Sequence, residues 1–219
     1  MTAFTSTADR SSIPLRQWHR ATWEDYVALR DASIPKRMRL AFNQGWLWID
    51  MGGEGINHAS VSDLFTALLF IWAMQHLEQT YTSFGRCLLE KSEAQACAPD
   101  LVLYVGEEFP RWQEGEPRRI DLNQWRVPDL VGEISDTSLA TDLDEQKHLY
   151  AALGIPEYWV VDVRGRRVFS FLLQDNGEYK ATDRSQALDG LAIALLDQTL
   201  ERLPESSNTA AAAWFAQQI

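Results

Sequence analysis

The run "DLVGEIS" at 129–135 places a carboxylate, Glu133, in the middle of an apolar strand. Alternation puts Asp129, Val131, Glu133 and Ser135 on one face and Leu130, Gly132 and Ile134 on the other. A carboxylate held inside a sheet is costly unless it meets a partner or a cation, so any fold built on this strand has to supply one. The Pro-Asp that leads into the strand occurs twice, as Pro99-Asp100 before "LVLYV" and Pro128-Asp129 before "LVGEIS". Two readings fit the pair. Proline at the first position of a strand with aspartate capping the turn is ordinary strand-entrance chemistry, and two aspartates feeding neighbouring strands beside Glu133 is the start of a metal site.

Lys147 is a candidate partner. On the segment "TDLDEQKHLYAALGIP", the positions Leu143, Lys147, Tyr150, Ala151 and Gly154 fall on one helical stripe, which directs the lysine toward the sheet. A snorkelling stem or an ion pair with Asp144 explains it equally well. The short loop between Glu133 and this helix allows both acids and the amine to converge.

The rest of the chain supplies a frame for that site. Thr22 caps a short helix over "TWEDYVALRD". "MRLAFNQGWLWIDMGG" is expected to be a hairpin turning at Asn43-Gln44-Gly45. "NHASVSDLFTALLFIWAMQHLEQT" carries Val61, Leu64, Phe65, Leu68, Ile71 and Trp72 near helical spacing and is expected to be a mostly buried helix. Strands follow in "SFGRCLLEKS", "PDLVLYVGE" and "DLVGEIS", interrupted by the polar excursion "EFPRWQEGEPRRIDLNQWR". The Lys147 helix starts at Thr141 or Asp142 and stops at Gly154, with Pro156 beyond. "EYWVVDVRGRRVFSFLLQ" is a hairpin around Arg164-Gly165, "YKATDRSQALDGLAIAL" another extended piece, and "TAAAAWFAQQI" a helix. This order specifies an α/β domain around a mixed central sheet.

Composition narrows the function classes. A net charge of -11 over 219 residues argues against a protein that coats nucleic acid by bulk positive charge. A nuclease remains open, because divalent cations offset phosphate repulsion locally. Two cysteines without CxxC spacing point to a reducing compartment, so a cytoplasmic location is expected, and no signal-peptide or membrane-spanning window stands out. Phosphate-binding loops, dinucleotide glycine fingerprints and GxSxG elbows do not occur.

Together the motifs "PDLVGEISDTS" and "DLDEQKHLYAALGIPEYWVVDV" resemble the Uma family of restriction-endonuclease-like proteins, within the PD-(D/E)xK nuclease superfamily. Lys147, Tyr150, Gly154, Pro156, Glu157, Tyr158, Trp159 and Asp162 stand in the family's order, and "GGEGINH" matches its histidine at His58. The likeness runs from about Trp23 to about Leu191.

The resemblance implies a restriction-endonuclease-like mixed central sheet flanked by helices, and a Mg²⁺- or Mn²⁺-dependent endonuclease acting on DNA. It implies Asp100 and Glu133 as metal ligands and Lys147 as the catalytic lysine. Ser135 stands where the superfamily usually has lysine, two residues after the acid, so Lys147 would act from the following helix. Asp129 is the rival to Asp100, more suited to a structural place. His58, with Glu54 a weaker candidate, would contact phosphate, a metal-bound water or a helix end, and Tyr150 would orient the lysine or pack in the core. Arg118, Arg119 and Arg126 are a candidate phosphate-contacting set or a solvated loop. Residues 1–20 are expected to be a flexible segment, 21–200 the nuclease domain and 201–219 a helical tail. The partner expected is nucleic acid, and self-association as a homodimer would suit cutting two strands. The competing reading is a catalytically idle descendant that keeps the fold as a binding or assembly module.

Overall fold

A computed structural model describes residues 15–32, 38–51 and 53–219. In chain order the elements are β1 (His19–Arg20), α1 (Trp23–Arg30), β2 (Met38–Asn43), β3 (Trp46–Met51), α2 (Ile56–Gln75), β4 (Tyr81–Ser83), β5 (Leu89–Lys91), β6 (Gln95–Cys97), β7 (Leu101–Val105), β8 (Ile120–Asp121) and β9 (Leu130–Ser135). Then come α3 (Leu139–Thr141), a π-helical turn (Asp142–Gln146), α4 (Lys147–Leu153), β10 (Glu157–Asp162), β11 (Arg167–Leu173), β12 (Tyr179–Thr182), α5 (Ile193–Leu200) and α6 (Asn208–Phe215). Most of the segment expected to be flexible, residues 1–14, lies outside the described residues, while His19–Arg20 pair with β3.

The class is the α/β expected, but the strands divide into two mixed sheets, ordered β1-β3-β2-β6-β5-β8 and β12-β11-β10-β9-β7-β4. Inside the second sheet β9 runs parallel to β10 and antiparallel to β7. A parallel pair needs a crossover, and the α3, π-turn and α4 segment provides it. Every residue of β9 is buried, as expected of a strand covered on both faces. Leu130 and Ile134 pack with α2, α5 and α6, through Phe65, Leu68, Leu196 and Phe215. Val131 faces the opposite layer, with Leu149, Tyr150 and Tyr158, and with Ala41 and Leu89 of the first sheet. A third cluster joins α1 to the first sheet through Tyr26, Phe42, Leu47 and Ile49.

Local chemistry accounts for several element boundaries. Thr22 and Asp25 form a reciprocal capping box on α1. The β2–β3 turn uses Gln44 and Gly45, both with positive φ. Gly154 ends α4 with φ +78°. The C-terminal segment is packed against α2, with Ala211 and Phe215 fully buried.

Three expectations are corrected. "SFGRCLLEKS" is not one strand: β4 ends at Ser83 and β5 starts at Leu89, with Arg86 at φ +61° between them. The extended piece after β11 stops at Thr182, and Ile193–Leu200 is a helix, because Ile193, Leu196 and Leu200 form a buried stripe on the core and Asp197 Oδ1 accepts the Val168 N–H at 2.7 Å. The helix expected from Thr141 starts at Leu139 and widens into the π turn at 142–146. Ile56–Gln75, which includes Asp63, passes the length and composition of a bilayer-crossing helix, and 44% of its most apolar window is buried inside the protein.

Candidate active site

Asp100 immediately precedes β7, and the pairing of Leu101 with Gly132 sets it beside Glu133 on the neighbouring strand. Both carboxylates are buried, at 2% and 4% exposure. Asp100 Oδ2 accepts the Ile134 N–H at 2.9 Å and lies 3.0 Å from His58 Nε2 in the first turn of α2. Glu133 accepts the Tyr150 hydroxyl at Oε1 and the Arg39 Nη2 at 3.2 Å at Oε2. The same guanidinium nitrogen is 3.5 Å from Asp100 Oδ1, so one arginine spans the acid pair.

The environments split the two acids. Burial opposes ionisation of Asp100, but His58, Arg39 and the Ile134 N–H outweigh it and hold its pKa below the usual carboxylate value. Burial, reinforced by the charge of Asp100, pushes Glu133 well above it despite Arg39 and Tyr150. Arg39 is itself held more strongly protonated, since the attraction of Glu133 and Asp100 exceeds its own burial penalty.

A cavity of about 430 Å³ opens over Glu133, with Arg39, His58, Asp142 and Gln146 in its wall. A second, of about 320 Å³, reaches Asp100 from the side of Arg30 and Arg86. Arg39 and Glu54 line both, so the acid pair stands where the two meet. Glu54 is engaged by Arg86 at 3.0 Å and lies 3.6 Å from His58 Nδ1.

Lys147 does not join this group. Its Nζ lies 3.9 Å from the centre of the Phe171 ring, it does not line the cavity, and burial there lowers its pKa while Asp144 opposes the shift. The face turned to Glu133 and Ser135 carries Asp142, Gln146 and Tyr150 instead. Leu143, Lys147 and Tyr150 do share the expected stripe on the layer of Tyr158 and Phe171, but along it the Tyr150 hydroxyl meets Glu133 while the Lys147 ammonium lies over Phe171.

Other candidates have structural places. Asp129 Oδ2 accepts the Val105 N–H at 2.6 Å and pairs with Arg126 at 2.8 Å, fastening the far end of β7. Arg126 also donates to the carbonyls of Glu108 and Val105, each at 2.7 Å. Arg119 pairs with the buried Glu90, and Arg118 stacks on Trp112 at 5.2 Å. None of the three lines the cavity at Glu133.

Sequence reasoning missed Arg39, Asp142 and Gln146. Arg39 had a signal, since alternation in β2 puts it on the face of buried Ala41. Asp142 is a buried acid that accepts from Ser135 at 2.6 Å and Ser138 at 2.6 Å. Burial raises its pKa against those two hydrogen bonds.

Among the described residues, no three His, Cys, Asp or Glu side chains gather as a metal-binding group. The oxygen donors are nevertheless of the right type for a hard divalent cation: Glu133 and Gln146 in the wall of the 430 Å³ cavity, the Gln146 Oε1 without a hydrogen-bond partner, and Asp100 beside Glu133 in the wall of the other. Mg²⁺ is commonly held by one or two carboxylates with the remaining positions filled by water, so the residues present fit such an ion.

No curated protein matches the chain. The fold is shared with the crystal structure of "a putative nuclease belonging to DUF820 from Anabaena variabilis ATCC 29413", at TM-score 0.57 and 16% identity over 82% of this chain and 99% of that one. The family model Uma2, described as "Putative restriction endonuclease", matches residues 23–204, and the chain belongs to that family.

Proposed function

We propose that this protein is a Mg²⁺- or Mn²⁺-dependent endonuclease that hydrolyses phosphodiester bonds in DNA, acting in the cytoplasm as a homodimer through its 21–200 domain. The observation that carries the reading is the buried pair Asp100 and Glu133, set side by side by the Leu101–Gly132 pairing, with Asp100 lining one cavity and Glu133 a second that shares Arg39 and Glu54 with it. In this reading the two carboxylates hold the cation. The bound ion would supply charge for the scissile phosphate and a more acidic water. His58 keeps Asp100 ionised and oriented from behind. Arg39 offers the cavity a guanidinium suited to a phosphate oxygen. Lys147 would contribute its ammonium only by leaving the Phe171 ring.

The test combines a plasmid cleavage assay with a calorimetric Mn²⁺ titration on wild type, Asp100→Asn and Glu133→Ala. Wild type is expected to cleave and to bind Mn²⁺, and each variant to lose cleavage by at least about a hundredfold while remaining folded. Full cleavage by Glu133→Ala would remove the assignment.

A second reading is favoured by one observation, the placement of the Lys147 ammonium on Phe171 with Gln146 beside Glu133 in the cavity wall in its stead. In that reading the chain keeps the fold as a nucleic-acid-binding or assembly module. Mn²⁺ and DNA binding without cleavage at any metal concentration would select it.

A further inference from the structure

We propose that Gln146 supplies a third, neutral oxygen ligand, through Oε1, to a divalent cation held at Asp100 and Glu133. The inference rests on the cation reading above and adds a residue to it. The helical segment after β9 lays three side chains against Glu133 and Ser135, and two of them are satisfied. Tyr150 donates to Glu133, and Asp142 accepts from Ser135 at 2.6 Å. Gln146 lies on the same face, one turn from each. It is 7% exposed, and its Oε1 is buried with no hydrogen-bond partner.

An amide oxygen taken out of water without a donor is unfavourable, so its surroundings call for a ligand. Gln146 lines the 430 Å³ cavity with Glu133, and also a small void of about 10 Å³ shared with Glu133, Tyr150 and Arg39. That void is about the size of one water. A carboxamide oxygen is a hard, neutral donor of the kind that Ca²⁺, Mg²⁺ and Mn²⁺ accept beside carboxylates. Lys147, the adjacent residue, has no such access, because its amine is on the Phe171 side. The competing explanation is a lone water filling the void, which predicts that the amide has no bearing on cation affinity.

The test is a calorimetric Mn²⁺ titration of the full chain, paired with thermal melts with and without Mn²⁺. The variants are Gln146→Met, which keeps the length and removes the oxygen, Gln146→Glu, and His148→Ala as an exposed change on the same helix. Gln146→Met is expected to weaken Mn²⁺ on the order of tenfold and to shrink the Mn²⁺-induced rise in Tm. Gln146→Glu is expected to bind Mn²⁺ more tightly and to gain a larger rise in Tm than wild type, an outcome that a packing role would not give. His148→Ala should match wild type. Should Gln146→Met not fold, Gln146→Glu decides: affinity no higher than wild type overturns the proposal. Unchanged affinity in Gln146→Met, with loss in Asp100→Asn and Glu133→Gln, overturns the role of Gln146 and leaves the acid pair standing. No Mn²⁺ binding by wild type overturns both.

Discussion

Gly132 and Leu101 face one another across β9 and β7 so closely that a methyl group on Gly132 would lie 3.0 Å from Leu101 Cδ1. This contact is the rung next to Asp100 and Glu133 in the sheet. Gly132→Ala is therefore expected to cost about 1–3 kcal/mol of stability by overpacking. It should also weaken Mn²⁺ binding, because moving Leu101 moves Asp100. Denaturant unfolding and calorimetry on the one variant check both. Unaltered stability would show that the Leu101 side chain yields without strain.

Arg39 is the counter-charge to the acid pair when no cation is bound. Stranding buried charges by deleting their partner costs about 3–5 kcal/mol. Because 34% of the Arg39 side chain is exposed, solvent screening reduces the expected loss for Arg39→Met to about 1–3 kcal/mol. Added Mn²⁺ should restore more stability to this variant than it gives wild type, since the ion no longer competes with a guanidinium. Melts with and without Mn²⁺ read the difference, and an equal Mn²⁺ effect in both proteins would contradict the competition.

Glu157, far from the cavity, tests how burial and hydrogen bonding divide the control of a carboxylate. Its Oε2 accepts the N–H groups of Gln186 and Ala187, each at 2.8 Å, and its Oε1 the Trp159 indole N–H at 2.6 Å. Burial still raises its pKa above the ordinary value, against those donors. A raised folded-state value means that its stabilising contribution is complete below the unfolded pKa of about 4.3 and is lost as pH rises through the folded one. Glu157→Gln removes that slope. It also turns an N–H₂ group toward either the indole or the backbone pair, so about 1–3 kcal/mol of stability is expected to be lost at neutral pH. Melting wild type and variant from pH 4 to pH 8 measures both effects, and an unchanged slope in the variant would exclude Glu157 as its source.

The sheet side of the site was legible because strand alternation is strict. The expected faces of β9 separate Leu130 and Ile134 from Val131 as the core clusters do, and Pro-Asp marked the approaches to β7 and β9. The helix side was not legible. Stripe counting puts Lys147 and Tyr150 on the sheet side, where they meet Phe171 and Glu133, but it does not give which of them reaches the acid, and nothing in "DLDEQ" marks Gln146 as the residue beside Glu133 in the cavity wall. For Arg39 the inward face of β2 was legible but its partner was not. Its hairpin is remote in sequence from Glu133, and which strands gather over an acid is decided by tertiary packing. The helix Ile193–Leu200 was misread because "LAIALL" is apolar enough to suit either a strand or a buried helix.

Successive residues of a helix point about 100° apart, so one step along the segment after β9 changes what a side chain meets. Gln146 and Lys147 are adjacent in the chain, yet one lines the cavity with Glu133 and the other lies over an aromatic ring. The chemical character of this pocket is thus written in rotation about an axis as much as in amino-acid identity. Exchanging the two residues would deliver an ammonium to Glu133 with no change in composition or net charge.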